Sequence, residues 1–170
     1  MTTCCHYSPW HLVVAVNMND PVRTPAGDAF AQFAISVLRL AGPLTAAGDV
    51  LAKPSGQTSA RWQVLAAASH APMSVADAAR ALGLARQGVQ RIADLLEEEG
   101  LIAYGDNPAH QRAKLMVPTP RGEEVQDEIK ARQAVWADAL GAELGEERLR
   151  RATALIGEAI AMLRDRPATG

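Results

Sequence analysis

The sequence has 170 residues, of which 48% are hydrophobic and 21% are charged, and its formal net charge at pH 7 is −2. This length allows one domain or a small module with helical extensions, and the apolar fraction excludes a disordered chain. The negative net charge excludes indiscriminate binding to nucleic acid, so any nucleic-acid surface has to be local.

We expect residues 1–24 to form a disordered N-terminal extension. Cys4 and Cys5 are the only cysteines, and two adjacent cysteines give no disulfide framework, which is typical of a protein in a reducing cytoplasm. A structural metal site needs a rigid scaffold and better-separated ligands than these, so we expect neither a metal nor another cofactor. The apolar run from Leu12 to Val16 is too short to span a bilayer, and we expect no membrane partner.

The first segment with helical periodicity runs from about Pro25 to Leu51, where apolar residues recur at helical spacing. Pro43 is expected to bend or divide this helix, because proline lacks a backbone N–H and crowds the preceding turn. Proline and glycine within residues 53–58 predict a loop. A second helix is predicted from about Ser59 to Ser69.

The most informative block begins at Ser74, which predicts a helix start because its hydroxyl can accept a backbone N–H of the first turn. Gly83 predicts a tight turn, since glycine tolerates a left-handed conformation. A further amphipathic helix then continues to Gly100, and Leu82 and Leu84 are expected to fill the junction between the two helices. Two short helices joined by a tight glycine-containing turn are typical of a helix-turn-helix.

Beyond Gly100 the pattern changes to two short strands, predicted at residues 101–104 and 113–117 and joined by a polar loop over residues 105–112. A polar hairpin directly after the second helix of a helix-turn-helix is a wing. The predicted fold class is therefore mainly α with a small β-hairpin wing, a winged helix-turn-helix flanked by N- and C-terminal helices.

Two long helices are predicted after the wing. Thr119 and Pro120 indicate the start of the first, which runs to about Leu140, because proline suits the first helical position after a capping threonine. The second covers residues 146–164. These helices carry more apolar surface than a lone winged helix can bury, so we predict that they form a homodimer interface together with the helix of residues 25–51.

Residues 57–122 resemble the MarR (multiple-antibiotic-resistance regulator) family of winged-helix transcription factors. The resemblance rests on four segments that occur in the family's order and spacing: Trp62-Gln63-Val64-Leu65, the helix pair from Ser74 to Leu96, the stretch from Leu95 to Ile102, and a wing that includes Asp106, Arg112 and Thr119-Pro120-Arg121-Gly122. In outline the resemblance extends over residues 25–163.

The resemblance implies a cytoplasmic transcription regulator, a repressor, that binds a palindromic operator in double-stranded DNA as a homodimer and is not an enzyme. Residues 57–118 would form the DNA-binding region. Residues 25–56 would supply an N-terminal dimerisation helix and loop, and residues 119–170 the C-terminal dimerisation helices.

Four DNA-binding candidates lie on the second helix of the pair, which enters the major groove in this architecture. These candidates lie on the side of the helix opposite its apolar residues. The segment from Arg80 to Ala93, which contains them, has no acidic residue. Arginine can bond guanine O6 and N7 together, and glutamine can do the same to adenine N6 and N7. The four candidates are Arg86, Gln87, Gln90 and Arg91, and an ordinary solvated helix face is the alternative.

Four further DNA-binding candidates flank that helix. Arg112 at the wing tip is expected in the minor groove, while Lys114 and the backbone N–H groups near Ser74 are candidates for phosphate contacts. His110 stands where the family usually has an acidic residue. It would either orient the wing arginine as a neutral acceptor or contact phosphate when protonated.

The family also suggests a small lipophilic or phenolic effector, for which Phe33, Trp62 and Trp136 are the candidate lining residues. Their alternative role is that of core aromatics. The main alternative function is a winged-helix protein–protein interaction module without DNA readout, which the acidic C-terminal third permits. Enzymatic activity is not expected, because the sequence has no phosphate-cradling glycine loop, metal-ligand cluster or nucleophile motif.

Overall fold

The computed structural model describes residues 23–108 and 113–166. The predictions made for Cys4 and Cys5, and those for His110 and Arg112, lie outside these ranges. The described chain is mainly helical and carries one small sheet, with the elements α1 (Pro25–Ala52), a 3-10 turn (Lys53–Ser55), α2 (Ser59–His70), β1 (Met73–Ser74), α3 (Val75–Leu82), α4 (Arg86–Glu98), β2 (Ile102–Gly105), β3 (Leu115–Pro118), α5 (Pro120–Leu144) and α6 (Glu146–Asp165). The predicted fold class is confirmed.

By compactness the chain divides into two units, residues 1–42 and 43–170. In the described part of the first unit, the rings of Phe30 and Phe33 lie 6.3 Å apart. Pro43 lies inside α1 and does not divide it, so that part of the prediction is wrong. A proline removes a single hydrogen bond of the ladder, and the flanking turns continue the helix on either side.

The core of the second unit lies where α2, α3 and α4 meet the sheet. Burying a leucine or valine side chain stabilises a fold by about 1.5–3 kcal/mol, and most residues here are almost fully buried. The cluster contains Val64, Leu65, Ala68, Val75, Ala78, Ala79, Val89, Ala93, Leu96, Leu101, Ile102 and Met116.

The turn between α3 and α4 has the predicted construction. The Ser74 hydroxyl accepts the backbone N–H of Asp77 at 3.2 Å, and Gly83 has the left-handed φ of 67° that the turn requires. Ala85 caps α4 without a side-chain hydrogen bond. The expectation that Leu84 fills the junction is wrong, since it is 43% exposed. The left-handed turn sends it outward, and Leu82 packs against the core instead.

The sheet has three antiparallel strands in the order β1-β3-β2, one more than the predicted hairpin. The additional strand is only two residues long, and its Met73 and Ser74 pair with Met116 and Leu115 of β3. So short a strand has no detectable alternation, which is why it was missed. Pro118 ends β3 opposite Ile102, at a position where its missing N–H removes little from the ladder.

The junction between the sheet and α5 is held by Thr119. Its backbone N–H donates to the carbonyl oxygen of Leu101 at 3.0 Å, and its hydroxyl donates to Gly100 O at 2.7 Å. The same hydroxyl accepts the N–H of Gly122 and so caps α5, as predicted. This helix continues to Leu144 rather than ending near Leu140.

Candidate nucleic-acid interface

Helix α4 is anchored by one face and exposed on the other. Val89, Ala93 and Leu96 have no exposed surface and fix the rotation of the helix about its axis. The opposite face carries the four residues predicted to read DNA: three of them, Arg86, Gln87 and Arg91, are exposed, and Gln90 is half-buried. A rigid helix with a polar outer face is a suitable scaffold for reading a surface.

The cations of this face are available to a partner. Within residues 23–108 and 113–166, no carboxylate oxygen lies within 4.0 Å of the guanidinium of Arg86 or Arg91. Arg80 differs, because its guanidinium pairs with the Asp77 carboxylate. An unpaired guanidinium can bond phosphate or guanine without first breaking an ion pair.

Four of the predicted residues share a cleft of about 310 Å³ beside the start of α4. Ser74, Arg86, Gln90 and Lys114 line it, together with Tyr104 and three smaller residues. The Ser74 hydroxyl is occupied as a helix cap and also donates to Asp77 Oδ2 at 2.6 Å. The cleft is therefore lined by two cationic side chains, an amide and a phenol.

The outer face of α4 has an uneven charge along its length. Gln87, Gln90 and Arg91 line a shallow groove of about 370 Å³ with Asp94, Leu95 and Glu98. Basic residues thus occupy the N-terminal half of the helix and acidic residues the C-terminal half. A polyanion would be attracted to the N-terminal half, where the helix dipole is also positive.

Tyr104 of β2 contacts this face, although it was not among the residues predicted from the sequence. Its hydroxyl accepts from Gln90 Nε2 at 2.9 Å and donates to Asp94 Oδ1 at 3.1 Å. Gln90 Nε2 also donates to the same Asp94 oxygen at 2.7 Å. The only signal in the sequence is a tyrosine in an otherwise small and aliphatic strand, because a buried phenol usually has a hydrogen-bond partner.

Burial, followed by the hydrogen bond and negative charge of Asp94, raises the pKa of Tyr104 to about 12. The neutral phenol is favoured in the folded state, so its contribution to stability is complete below about pH 10 and is lost as the pH rises through about 12. We therefore expect the denaturant midpoint to fall less between pH 10 and pH 12 in Tyr104→Phe than in the unsubstituted protein. Equal losses in both proteins would contradict this prediction.

A second polar network holds the C-terminal end of α4. The Glu99 carboxylate accepts from Arg61 Nη2 at 2.7 Å and from Gln57 Nε2 at 3.1 Å. Its backbone carbonyl accepts from Arg121 Nη1 at 3.3 Å. The start of α2 and the start of α5 are thereby both linked to the end of the predicted reading helix.

The three candidate effector residues lie on three different helices. Trp62 of α2 and Trp136 of α5 are half-buried, and these two helices pack together. The indole N–H of Trp62 is buried and has no hydrogen-bond acceptor among the described residues. Phe33 is half-buried on α1, in the first unit. In the described ranges, no cluster of three or more His, Cys, Asp or Glu residues could hold a metal ion.

Comparison with known sequences matches part of this chain to one protein family. The sequence profile described as MarR family matches residues 55–113. Uncharacterized proteins of Mycobacterium tuberculosis and Mycobacterium bovis are 42% identical to this chain over 108 residues, which is 64% of this chain and 76% of each relative.

Solved structures share the fold. The transcriptional regulator MosR of Mycobacterium tuberculosis, in complex with DNA, is 26% identical with a TM-score of 0.62, over 77% of this chain and 97% of that one. MarR of Staphylococcus aureus with salicylate and kanamycin is 14% identical with a TM-score of 0.69, over 81% and 93%. CouR from Rhodococcus jostii RHA1 with p-coumaroyl-CoA is 22% identical with a TM-score of 0.65, over 81% and 94%.

Proposed function

This chain belongs to the MarR family of DNA-binding winged-helix transcription regulators, which are not enzymes, and we propose that it is a cytoplasmic repressor that binds a palindromic operator as a homodimer. The observation that carries the proposal is the two-sided construction of α4. Its buried face fixes the helix on the core, while Arg86 and Arg91 remain without an ion-pair partner in the described chain.

In this proposal the N-terminal half of α4 enters the major groove, and Arg86, Gln87, Gln90 and Arg91 reach the base edges. Lys114 and the backbone N–H groups near Ser74 contact phosphates beside the groove. The wing residues Arg112 and His110 keep the minor-groove and phosphate roles that the sequence suggests. The DNA-binding region is residues 57–118.

The proposed dimer interface rests on the apolar residues that the single chain leaves exposed. Helices α5 and α6 expose Val135, Leu140, Leu144, Leu149, Leu155, Ile160, Met162 and Leu163, and a groove of about 690 Å³ runs between the two helices. Exposed apolar residues that are this numerous on two neighbouring helices indicate an interaction surface. Residues 119–170, with the N-terminal helix of residues 25–56, would supply the interface.

Helix α1 also exposes large apolar side chains to solvent in the single chain. The segment Pro25–Ser55 is long and apolar enough to cross a membrane by length and composition alone, and within α1 Leu38 is 75% and Val50 72% exposed. A second subunit removes such surface from water as effectively as lipid does. We assign this helix to the dimer interface, because a membrane anchor would not explain the exposed apolar residues of α5 and α6.

We further propose that a small lipophilic or phenolic effector binds beside Trp62 and Trp136 and releases the repressor from DNA. The buried indole N–H of Trp62 has no acceptor among the described residues and could donate to a ligand oxygen. The related MarR and CouR structures contain salicylate and p-coumaroyl-CoA. Phe33 remains a candidate from the sequence alone.

Replacing Arg86 by alanine should weaken operator binding by about 1–3 kcal/mol and relax sequence preference at one base pair. Gel-shift titrations against an operator series with each base pair substituted would measure both effects. Arg80→Ala is the matched control, because this exposed arginine is paired with Asp77 and is not among the predicted DNA contacts. An equal loss on every sequence would show that Arg86 contacts only phosphate.

The operator itself can be found by selecting bound fragments from genomic DNA. The same preparations distinguish the repressor from the alternative interaction module, since affinity for duplex DNA should fall steeply with salt if Lys and Arg neutralise phosphates. Binding that is absent, or insensitive to salt, would favour the protein–protein module.

A further inference from the structure

The hydrogen bonds around Gln90 determine which of its amide atoms is available. Its Nε2 carries two hydrogens, and two acceptors are in reach: Asp94 Oδ1 at 2.7 Å and the Tyr104 hydroxyl at 2.9 Å. The Tyr104 proton is itself donated to Asp94 Oδ1 at 3.1 Å. All three hydrogens of this triangle are therefore used within the protein.

The orientation of the amide follows from the chemistry of its neighbours. An ionised carboxylate only accepts hydrogen bonds, so the reversed amide would place Gln90 Oε1 against Asp94 Oδ1 at a distance where two acceptors repel. Burial and the charge of Asp94 keep Tyr104 protonated, with a pKa of about 12. The triangle thus persists throughout the pH range in which DNA binding occurs.

The remaining amide atom faces outward. Gln90 Oε1 accepts no hydrogen bond within the described chain and is not among its buried unpartnered atoms. Gln90 also lines both the cleft beside the start of α4 and the groove on its outer face. The helix therefore presents a hydrogen-bond acceptor at this position and withholds the donor.

We propose that Tyr104 and Asp94 restrict Gln90 to accepting a hydrogen bond from a base, so that it selects bases with a major-groove amino group and does not read adenine in the two-bond manner. This inference rests on the proposed role of α4 as the reading helix. Adenine N6 and cytosine N4 are the major-groove donors, whereas guanine and thymine present only acceptors there. The sequence prediction that Gln90 bonds adenine N6 and N7 together is thereby replaced.

Two-bond reading of adenine needs one Nε2 hydrogen for N7, so Nε2 would have to break its bond to Asp94 or its bond to Tyr104. The bond to this carboxylate is charge-assisted and stronger than the bond to a neutral ring nitrogen that would replace it. If the bond to Tyr104 breaks instead, the buried phenol loses its donor and keeps only its own bond to Asp94. Tyr104 and Asp94 are positioning residues: neither needs to touch DNA, and both act through the orientation of the Gln90 amide.

The test begins by locating the base pair that Gln90 reads. Gln90→Ala should remove base discrimination at one operator position and leave the others unchanged. At that position the unsubstituted protein should bind adenine and cytosine within about threefold of each other, and guanine and thymine about tenfold more weakly. A preference for adenine over cytosine of about tenfold would overturn the inference, as would the absence of any position that depends on Gln90.

The decisive probe is 7-deazaadenine, which retains the amino group but lacks the N7 acceptor. Placed at the Gln90 position, it should leave the affinity of the unsubstituted protein unchanged, because no donor reaches N7. In Asp94→Ala the charged acceptor is gone and one Nε2 hydrogen is released, so adenine should become preferred over cytosine and 7-deazaadenine should cost about fivefold or more. A fivefold loss in the unsubstituted protein, or none in Asp94→Ala, would overturn the inference.

The companion variant is Tyr104→Phe, which removes one acceptor and leaves Asp94 in place. We expect it to show an intermediate sensitivity to 7-deazaadenine, and full insensitivity would show that Asp94 acts alone and overturn the role of Tyr104. If Tyr104 and Asp94 only stabilised the fold, both variants would bind operators with any of the four bases at this position equally more weakly. Failure of the proposed function is distinguishable, because the unsubstituted protein would then show no salt-dependent binding to any duplex.

Discussion

Gly122→Ala should lower the free energy of unfolding by about 3 kcal/mol, because overpacking against immobile atoms is costly. Gly122 is buried near the start of α5, and a Cβ there would overlap the carbonyl oxygen of Leu101 and approach its carbonyl carbon to 2.9 Å. That carbonyl belongs to the backbone, and it also accepts the N–H of Thr119 at 3.0 Å. It cannot move without breaking the junction between the sheet and α5.

Thermal and urea unfolding would measure this effect, and a loss of about 10 °C in Tm is expected for a chain of this size. Gly88→Ala is the matched control, because no atom outside its own helix lies within 4 Å of the Cβ it would add. Alanine should stabilise the interior of α4 by about 1 kcal/mol or less. Similar stabilities for Gly122→Ala and the unsubstituted protein would show that the junction is free to relax.

The second large effect is expected on α6, where Ile160→Glu combined with Leu163→Glu should convert the proposed dimer to a monomer. Within one chain these side chains are 45% and 57% exposed, so the fold of the single chain should tolerate the glutamates. In a dimer they would be buried as unpaired charges, which is strongly unfavourable. Affinity for a palindromic operator should fall by about 100-fold, since the two half-sites are no longer linked.

Analytical ultracentrifugation and operator titrations would test this, with circular dichroism to confirm that the helices persist. Ala161→Glu is the control: it adds the same side chain at an exposed position on the other face of α6, given about 3.6 residues per turn. It should leave the mass and the affinity unchanged. A double variant that remains dimeric would place the interface elsewhere.

Most of the fold was predictable because its signals are local. Ser74 and Thr119 each accept a backbone N–H three residues further along, and Gly83 has the positive φ expected of a turn glycine. Interactions of this range depend on residue types that lie side by side in the sequence. The helix pair, the hairpin and the boundaries of α2 and α6 followed from them to within one or two residues.

The remaining features depend on residues far apart in the sequence. The two-residue strand β1 exists only because β3, more than 40 residues later, supplies its hydrogen-bond partners. The candidate site shows the same division: the polar outer face of α4 follows from helical periodicity, whereas its contact with Tyr104 requires β2 to pack beside it.

The sequence by itself determined a helix-turn-helix with a hairpin after it and a polar outer face on its second helix, because capping residues, turn glycine and helical periodicity act over a few residues. Only the tertiary structure decided which hydrogen-bonding groups that face can present to a partner. It brings Tyr104 and Asp94 to Gln90 and so occupies the amide donor that the sequence had assigned to adenine. The physical reason is that a hydrogen-bonding group has a fixed number of donors and acceptors, and which of them are free depends on the side chains packed around it.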